Sequence, residues 1–140
     1  MGGETVAVSE LLWRPFGVVL FNRGAWCPYC NAQLASFQRA SDRLSEAGVS
    51  VVSLSVDDEE TARGLIDKHH LTFPVGHDAD ADAIAAATGA FVNREPRFLQ
   101  STGFLLDADG TVIVSVYSSG AIGRLVPDDV LGLVRYLGQH

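Results

Sequence analysis

Cysteine is scarce in this 140-residue chain: Cys27 and Cys30 are the only two. A structural zinc site takes four soft ligands, so with no third cysteine the remaining donors would have to be His69, His70, His77 or His140. His69 and His70 are sequence neighbours and do not easily face one ion from a regular helix, so no metal is expected. Positive charge is also in short supply, with 10 basic residues against 17 acidic ones and a formal charge of -7. A net anion is repelled by nucleic acid and by anionic membrane surfaces, which argues against both as partners. No stretch approaches the ~20 consecutive apolar residues a membrane span requires. The first residues, MGGETVAVSELLWRPF, lack the basic start and unbroken apolar run of a secretory signal, and Val6 stands where a myristoylation signal needs Ser or Thr. The expected location is therefore the cytoplasm, where a close cysteine pair is more often catalytic or metal-binding than a structural staple. Repeats, low-complexity tracts and linker-like stretches are absent as well. A chain that is 47% hydrophobic and 19% charged reads as globular, and residues 1–140 are expected to form a single domain.

What is present alternates between buried strands and amphipathic helices. Gly17 to Asn22 (GVVLFN) has the apolar, β-branched character of a strand covered on both faces. Arg23 and Gly24 break it, and Pro28 suits a first helical turn, where its missing N–H sacrifices no hydrogen bond. Leu34, Phe37, Ala40 and Leu44 then recur at helical spacing, with polar residues between them and Gly48 as a stop, which predicts one helix packed on the sheet. Val49 to Val56 is a second buried strand. Asp57, Asp58, Glu59 and Glu60 suit the positive end of a helix that finishes in Lys68, His69 and His70. Phe73-Pro74-Val75 is an extended link, and Asp82 to Thr88 a short helix ended by Gly89. Gly103–Leu106 and Val112–Val116 flank Asp107-Ala-Asp109-Gly110, a hairpin signal. Pro127 opens a last helix carrying Val130, Leu131, Val134 and Leu137. The order β-α-β-α-(short α)-β-β-α predicts an α/β fold: a central mixed sheet, parallel through the first crossover and antiparallel at the hairpin, with helices on both faces.

The two cysteines fall at the turn between the first strand and its helix. Unpaired backbone N–H groups and the helix dipole favour a negative charge at Cys27, and both effects lower a thiol's pKa. Arg23, four residues earlier, adds a positive charge. Cys30 lies one turn on and is expected to be the less exposed of the two, placed to attack a mixed disulfide or sulfenate formed at Cys27. Trp26 and Tyr29 would frame a flat apolar surface for a protein or lipid-like substrate. The other possible sites are weaker. Asp78-x-Asp80-x-Asp82 imitates the start of a calcium loop, but Ala83 and Gly89 occupy the positions that need Gly and Glu, so helix capping is the better account. His69 and His70 read as complements to a helix C-terminus, and His77 beside Asp78 as an ion pair. Gly120-Ala-Ile-Gly123-Arg124 is either a turn entering the last helix or a loop that brings Arg124 to the dithiol, the turn being the stronger reading; Arg97 has the same ambiguity.

At Arg23-Gly24-x-Trp26-Cys27-Pro28-Tyr29-Cys30 the chain resembles the thioredoxin-like superfamily, and within it the peroxiredoxin-like redoxins of the alkyl hydroperoxide reductase/thiol-specific antioxidant group. FLLDADGTV at 104–112 is similar to that group's strand-turn-strand, and Val126 to Leu131 resembles its last helix. The resemblance implies a thioredoxin-like fold and a thiol-disulfide or thiol-peroxide oxidoreductase with Cys27 and Cys30 as the catalytic pair. Arg23, Trp26, Pro28, Tyr29, Ser101 and Thr102 would support the pair or touch substrate. It also implies no cofactor beyond the dithiol, a peroxide or protein disulfide as oxidant, and an external thiol as reductant. Several family features are missing. Peroxiredoxins have Thr three residues and Pro seven residues before the attacking Cys; counting from Cys27 gives Gly24 and Leu20, and from Cys30 gives Cys27 and Arg23. Ser101-Thr102 stands where a peroxiredoxin-type Arg or a thioredoxin cis-Pro would be, and Phe21 where thioredoxins bury an Asp. The Thr-Val-Pro loop and Gly-Gly pair that accompany CPYC in glutaredoxins are not recognisable. Peroxide reduction, protein disulfide reduction and a non-catalytic thioredoxin-like binding module all stay open on these residues.

Overall fold

The computed structural model describes residues 15–120 and 122–138. The N-terminal segment read above up to residue 14, Ala121 of the glycine-flanked loop, and His140 lie outside the described residues. Among the described residues, seven strands and five helices follow in the order β1 (Phe16–Phe21), α1 (Pro28–Arg39), α2 (Ser41–Glu46), β2 (Val49–Leu54), α3 (Glu59–His69), β3 (Val75–Gly76), α4 (Ala81–Thr88), β4 (Val92–Arg94), β5 (Arg97–Leu99), β6 (Thr102–Asp107), β7 (Val112–Tyr117) and α5 (Pro127–Gly138). Five strands form one sheet in the order β3-β2-β1-β6-β7, and β4 and β5 form a separate two-stranded ribbon. β1 pairs parallel with β2, in register from Phe16 opposite Val49 to Phe21 opposite Leu54, and antiparallel with β6 on its other side. The expected mixed α/β sheet is what the chain builds.

The two-residue period of the strands divides the core. Val18 and Leu20 of β1, Val49 and Val51 of β2 and Leu105 of β6 point to one face. They meet Leu34 and Phe37 of α1, Leu44 of α2, Leu65 of α3 and Val130, Leu131 and Val134 of α5. Val19, Phe21, Val52, Leu54 and Phe104 point to the other face, against Ala81 of α4 and Leu99 of β5. Phe37 is fully buried, and removing such a side chain from water contributes roughly 1.5–3 kcal/mol.

Four features depart from the expected outline, and the first is that Val75, read as part of an extended link, opens the edge strand β3 beside β2. The predicted single helix from Pro28 to Gly48 breaks at Ala40, which leaves helical geometry (φ -93°, ψ 5°) and separates α1 from α2. Leu44 still reaches the core, and apolar spacing does not register a break that preserves the buried face. The acidic cluster does not act as a unit: Asp58 alone caps α3, accepting from the Thr61 N–H at 2.8 Å. Asp57 instead accepts from the Ala25 N–H (2.9 Å) and the Ser55 hydroxyl (2.9 Å), so it holds the cysteine loop. The hairpin of β4 and β5 had no apolar signature, because Arg94, Glu95, Pro96 and Arg97 interrupt the pattern; the Glu95–Pro96 bond in its turn is cis.

Smaller readings hold in detail. Asp80 caps α4 through the Ala83 N–H, and Asp82 pairs with Arg94 and Arg97. Asp107 accepts from the N–H groups of Asp109 and Thr111 within the β6–β7 turn, where Gly110 takes a left-handed φ of 83°. Among the described residues no helix is long and apolar enough to cross a membrane.

Candidate active site

Leaving β1, the chain passes through Asn22 to Ala25 before turning into α1. Cys27 is the N-cap residue of α1, with extended backbone (φ -86°, ψ 117°), and Pro28 is the first helical residue. No acidic residue stands in the first turn to compete with an anion there. The Cys27 sulfur therefore sits where the free N–H groups of the second and third helical residues point. Cys30 lies on the buried side of the same turn, and both thiols are free.

Arg23 and Arg124 converge on this pair from opposite ends of the chain. Arg23 Nη1 lies 3.7 Å from the Cys27 sulfur, and the Arg23 backbone N–H donates to the Cys30 sulfur at 3.3 Å. Arg124 Nη2 lies 3.1 Å from the Cys30 sulfur and 3.7 Å from that of Cys27, so one guanidinium nitrogen serves both. Each arginine is held by a glutamine: Arg23 Nε donates to Gln100 Oε1 (2.9 Å), and Arg124 Nη1 to Gln33 Oε1 (3.0 Å). Gln33 is buried and donates in turn to the Leu125 carbonyl (2.9 Å), which fixes the segment that delivers Arg124. Gly103 on β6 leaves room for that segment, since a Cβ there would lie 3.1 Å from the Leu125 Cβ.

The surroundings push the two thiols in opposite directions. For Cys27 burial works against the charged form. The Cys30 backbone N–H, the Cys30 thiol, the Arg23 guanidinium and the Tyr29 N–H outweigh it, and its pKa falls below the ordinary thiol value. For Cys30 burial dominates and raises the pKa, opposed by the positive charge of Arg124 and the Arg23 N–H. The pair is thus divided into a thiolate-prone sulfur and a thiol-prone one.

One expectation about exposure is corrected. Cys27 is as buried as Cys30, at 0% and 1% of their possible surface, because the loop and both guanidiniums close over the sulfurs. What is exposed is the aromatic rim: Trp26 (57%) and Tyr29 (53%). Trp26 packs edge-on against Phe98 of β5 with ring centroids 5.0 Å apart, and the Arg23 guanidinium lies 5.0 Å from the Trp26 ring and 5.2 Å from that of Phe98. This packing explains Gly24. A Cβ at that position would lie 2.3 Å from Trp26 Nε1, so a threonine there requires the indole to move.

The remaining candidates divide plainly. Ser101 and Thr102 are buried where β6 begins, and Thr102 pairs with Phe21 at the end of β1 from which the cysteine loop departs. The Thr102 hydroxyl donates to the Gln100 carbonyl (3.2 Å), and the Ser101 carbonyl accepts from the Ser118 N–H (2.9 Å). Arg97 is not brought to the dithiol; its guanidinium pairs with Asp82 at 2.9 Å on the outer face of the ribbon. Arg124, for which an ordinary turn was the stronger reading, is on the sulfurs. His69 does more than close a helix: its Nε2 meets Asn31 Oδ1 at 2.6 Å, while the Asn31 amide donates to the carbonyls of Ala25 and Cys27. Sequence reasoning missed Gln33, Gln100, Phe98, Asp57 and Asn31. Gln33 read as one of the polar residues on the helix faces away from the core, and only the structure shows it buried. Among the described residues no group of three or more His, Cys, Asp or Glu is arranged to hold a metal.

A C-x-x-C dithiol at the N-terminus of the helix that follows a central sheet strand defines a thioredoxin-like dithiol oxidoreductase. Comparison with known proteins narrows the class. The model of the AhpC/TSA family matches residues 1–115. A Mycobacterium tuberculosis protein carrying the peroxiredoxin name, Rv2521, is 30% identical over 129 residues, covering 88% of this chain and 80% of that one. The thiol-disulfide oxidoreductase ResA of Oceanobacillus iheyensis is 35% identical over 80 residues, covering 56% of this chain and 41% of that protein. In three dimensions the chain is similar to the peroxidoxin BcpB of Mycobacterium tuberculosis, with a TM-score of 0.78 at 21% identity over 93% of this chain and 84% of that one, a likeness of fold. The chain belongs to the AhpC/TSA family, as a peroxiredoxin-like, thiol-dependent oxidoreductase.

Proposed function

We propose that this protein reduces peroxides, with Cys27 as the attacking thiolate and Cys30 as the resolving thiol. The observation that carries this reading is the placement of a fully buried, thiolate-prone Cys27 sulfur beneath two guanidiniums. A covered sulfur favours a small peroxide over a protein disulfide, which would have to bring its own bulky surroundings to it.

The Cys27 thiolate attacks the terminal peroxide oxygen. A sulfur–oxygen bond forms, the oxygen–oxygen bond breaks, and the alkoxide leaves and takes up a proton from water. Negative charge develops on the leaving oxygen next to the sulfurs on which Arg23 and Arg124 stand, and donors fixed in advance are worth most in a dry site. In this reading they do the work of the Thr that Gly24 replaces. The Cys30 thiol then attacks the Cys27 sulfenic acid; the disulfide forms and water leaves. An external thiol reductant supplies two electrons and two protons to restore the dithiol, and the cycle needs no other cofactor. Trp26 steadies Arg23 by stacking, Pro28 starts the helix, and Tyr29 contributes its N–H to the Cys27 sulfur. Ser101 and Thr102 support the floor of the site from β6.

A second reading, reduction of protein disulfides, draws on the exposed Trp26 and Tyr29 and on the partial likeness to ResA. Stopped-flow oxidation of the reduced protein by hydrogen peroxide or an alkyl hydroperoxide, and separately by a protein disulfide, decides between them, with Cys27→Ser as control. Peroxide is expected to react orders of magnitude faster and to lose that reactivity in the variant. Faster reaction with the protein disulfide would replace the first reading by the second. Function unchanged without both cysteines would mark a non-catalytic binding module.

A further inference from the structure

On the outer side of Arg124, whose guanidinium reaches the dithiol, α1 and the segment leading into α5 enclose a groove of about 330 Å³. Tyr29, Val126 and Pro127 supply apolar walls, Gln33 the floor, and Arg39 and Arg124 the charge. Among the described residues none that lines it is acidic, although the chain carries a net charge of -7. Arg124 stands at the inner end, with one nitrogen on the groove floor at Gln33 and the other on the sulfurs. Arg39 lies ten residues along the helix from Tyr29, about 15 Å at the usual rise. The volume falls within the range of small-molecule sites and is far below that of a folded partner.

From this groove we infer that the reductant of the Cys27–Cys30 disulfide is a small thiol bearing carboxylates, held by Arg39 and Arg124 along the face of α1. The inference rests on the proposed cycle only in requiring that the disulfide forms. Charge complementarity favours an anion, and the redox state of the protein favours the reductant over the oxidant as that anion. In the reduced protein Arg124 faces a thiolate-prone sulfur 3.7 Å away; in the disulfide that charge is gone, so the groove is most cationic in the form the reductant meets. Once a carboxylate draws Arg124 off the sulfurs it covers, the incoming thiolate attacks the Cys30 sulfur, the one nearer Arg124, and the Cys27 sulfur leaves as the thiolate that the helix N-terminus stabilises. A second thiolate attacks the small-molecule sulfur of the mixed disulfide. Its product is the small-molecule disulfide, and Cys30 leaves and is protonated. Two thiols are oxidised and one protein disulfide is reduced.

The test uses the full chain with its disulfide preformed by diamide, so it is independent of whether peroxide is the oxidant. Reduction by glutathione, an anionic tripeptide thiol, and by cysteamine, a cationic one, is followed by intrinsic tryptophan fluorescence at equal thiolate concentration. Glutathione is expected to react with saturation and about tenfold or more faster than cysteamine, and Arg39→Glu to remove that preference. Arg63→Glu on α3, already paired with Glu59 and outside the groove, is expected to leave it intact. Equal rates for the two thiols overturn the inference. So does a preference that survives Arg39→Glu, or one that Arg63→Glu removes equally, or reduction by a protein dithiol alone.

Discussion

Burial of the Cys27 sulfur works against its thiolate, and the donors gathered around it reverse the sign. At Cys30, which lies deeper beneath the turn, burial wins, and the charge of Arg124 offsets only part of its cost. The consequences for pH run in opposite directions. The depressed pKa of Cys27 adds stability to the fold above the ordinary thiol range, and that contribution is lost as pH falls through the depressed value. The raised pKa of Cys30 adds stability below the ordinary range, lost as pH rises through the raised value. Alkylation by iodoacetamide, read by mass in Cys27→Ser and Cys30→Ser proteins, is expected to give a Cys27 profile with its midpoint below that of a free thiol and a Cys30 profile with its midpoint above it. Arg124→Gln should move the Cys30 midpoint further up, since it removes the positive charge that opposes burial there. Coincident profiles for the two cysteines would contradict the division of roles. At this scale Cys27, Cys30 and Arg23 were legible because their chemistry follows from position on one turn. Exposure was not, since a sulfur at a helix start is covered or open according to what other segments lay across it.

The elements explain why the turn is where it is. β1 is apolar on both faces and ends at Phe21, and Asp57 ties Ala25 to the segment that follows β2, so the cysteine loop is held at both of its flanks. α1 is anchored by Leu34 and Phe37, both fully buried. Phe37→Ala is expected to destabilise the protein by roughly 3–5 kcal/mol, the cost of an unfilled aromatic cavity, as measured by urea unfolding. The change lies two turns beyond Cys30, so the peroxide reaction of the molecules that remain folded should persist; its loss would mean that α1 fails to hold the site as a rigid unit. Most elements could be read from periodicity. The break at Ala40 could not, because the apolar face continues across it. The ribbon of β4 and β5 could not either, because a charged turn with a proline hides two short strands. Yet that ribbon delivers Phe98 to Trp26 and, just beyond it, Gln100 to Arg23.

For the molecule as a whole, the turn that carries the dithiol lies at the carboxyl end of β1, the central strand, where open α/β sheets commonly place their sites. An acidic chain concentrates two cations on its only two cysteines, which makes the dithiol a local exception to the surrounding charge. Mild peroxide treatment is expected to produce an intramolecular Cys27–Cys30 disulfide, seen in the intact mass as a loss of two hydrogens. Accumulation of sulfinate or sulfonate instead would show that Cys30 does not resolve Cys27. The sequence by itself determined the mixed α/β order, the strand-to-helix placement of C-x-x-C and the electrostatic advantage of Cys27. All of these are local: a two-residue or helical period, a proline at a helix start, a cation four residues away. Tertiary structure alone decided that Arg124, 94 residues from Cys30, and Gln100, 77 residues from Arg23, complete the site, while Arg97 turns away to Asp82. Such approaches depend on how the sheet is ordered and how the last loop packs over Gly103, and no spacing along the chain encodes them.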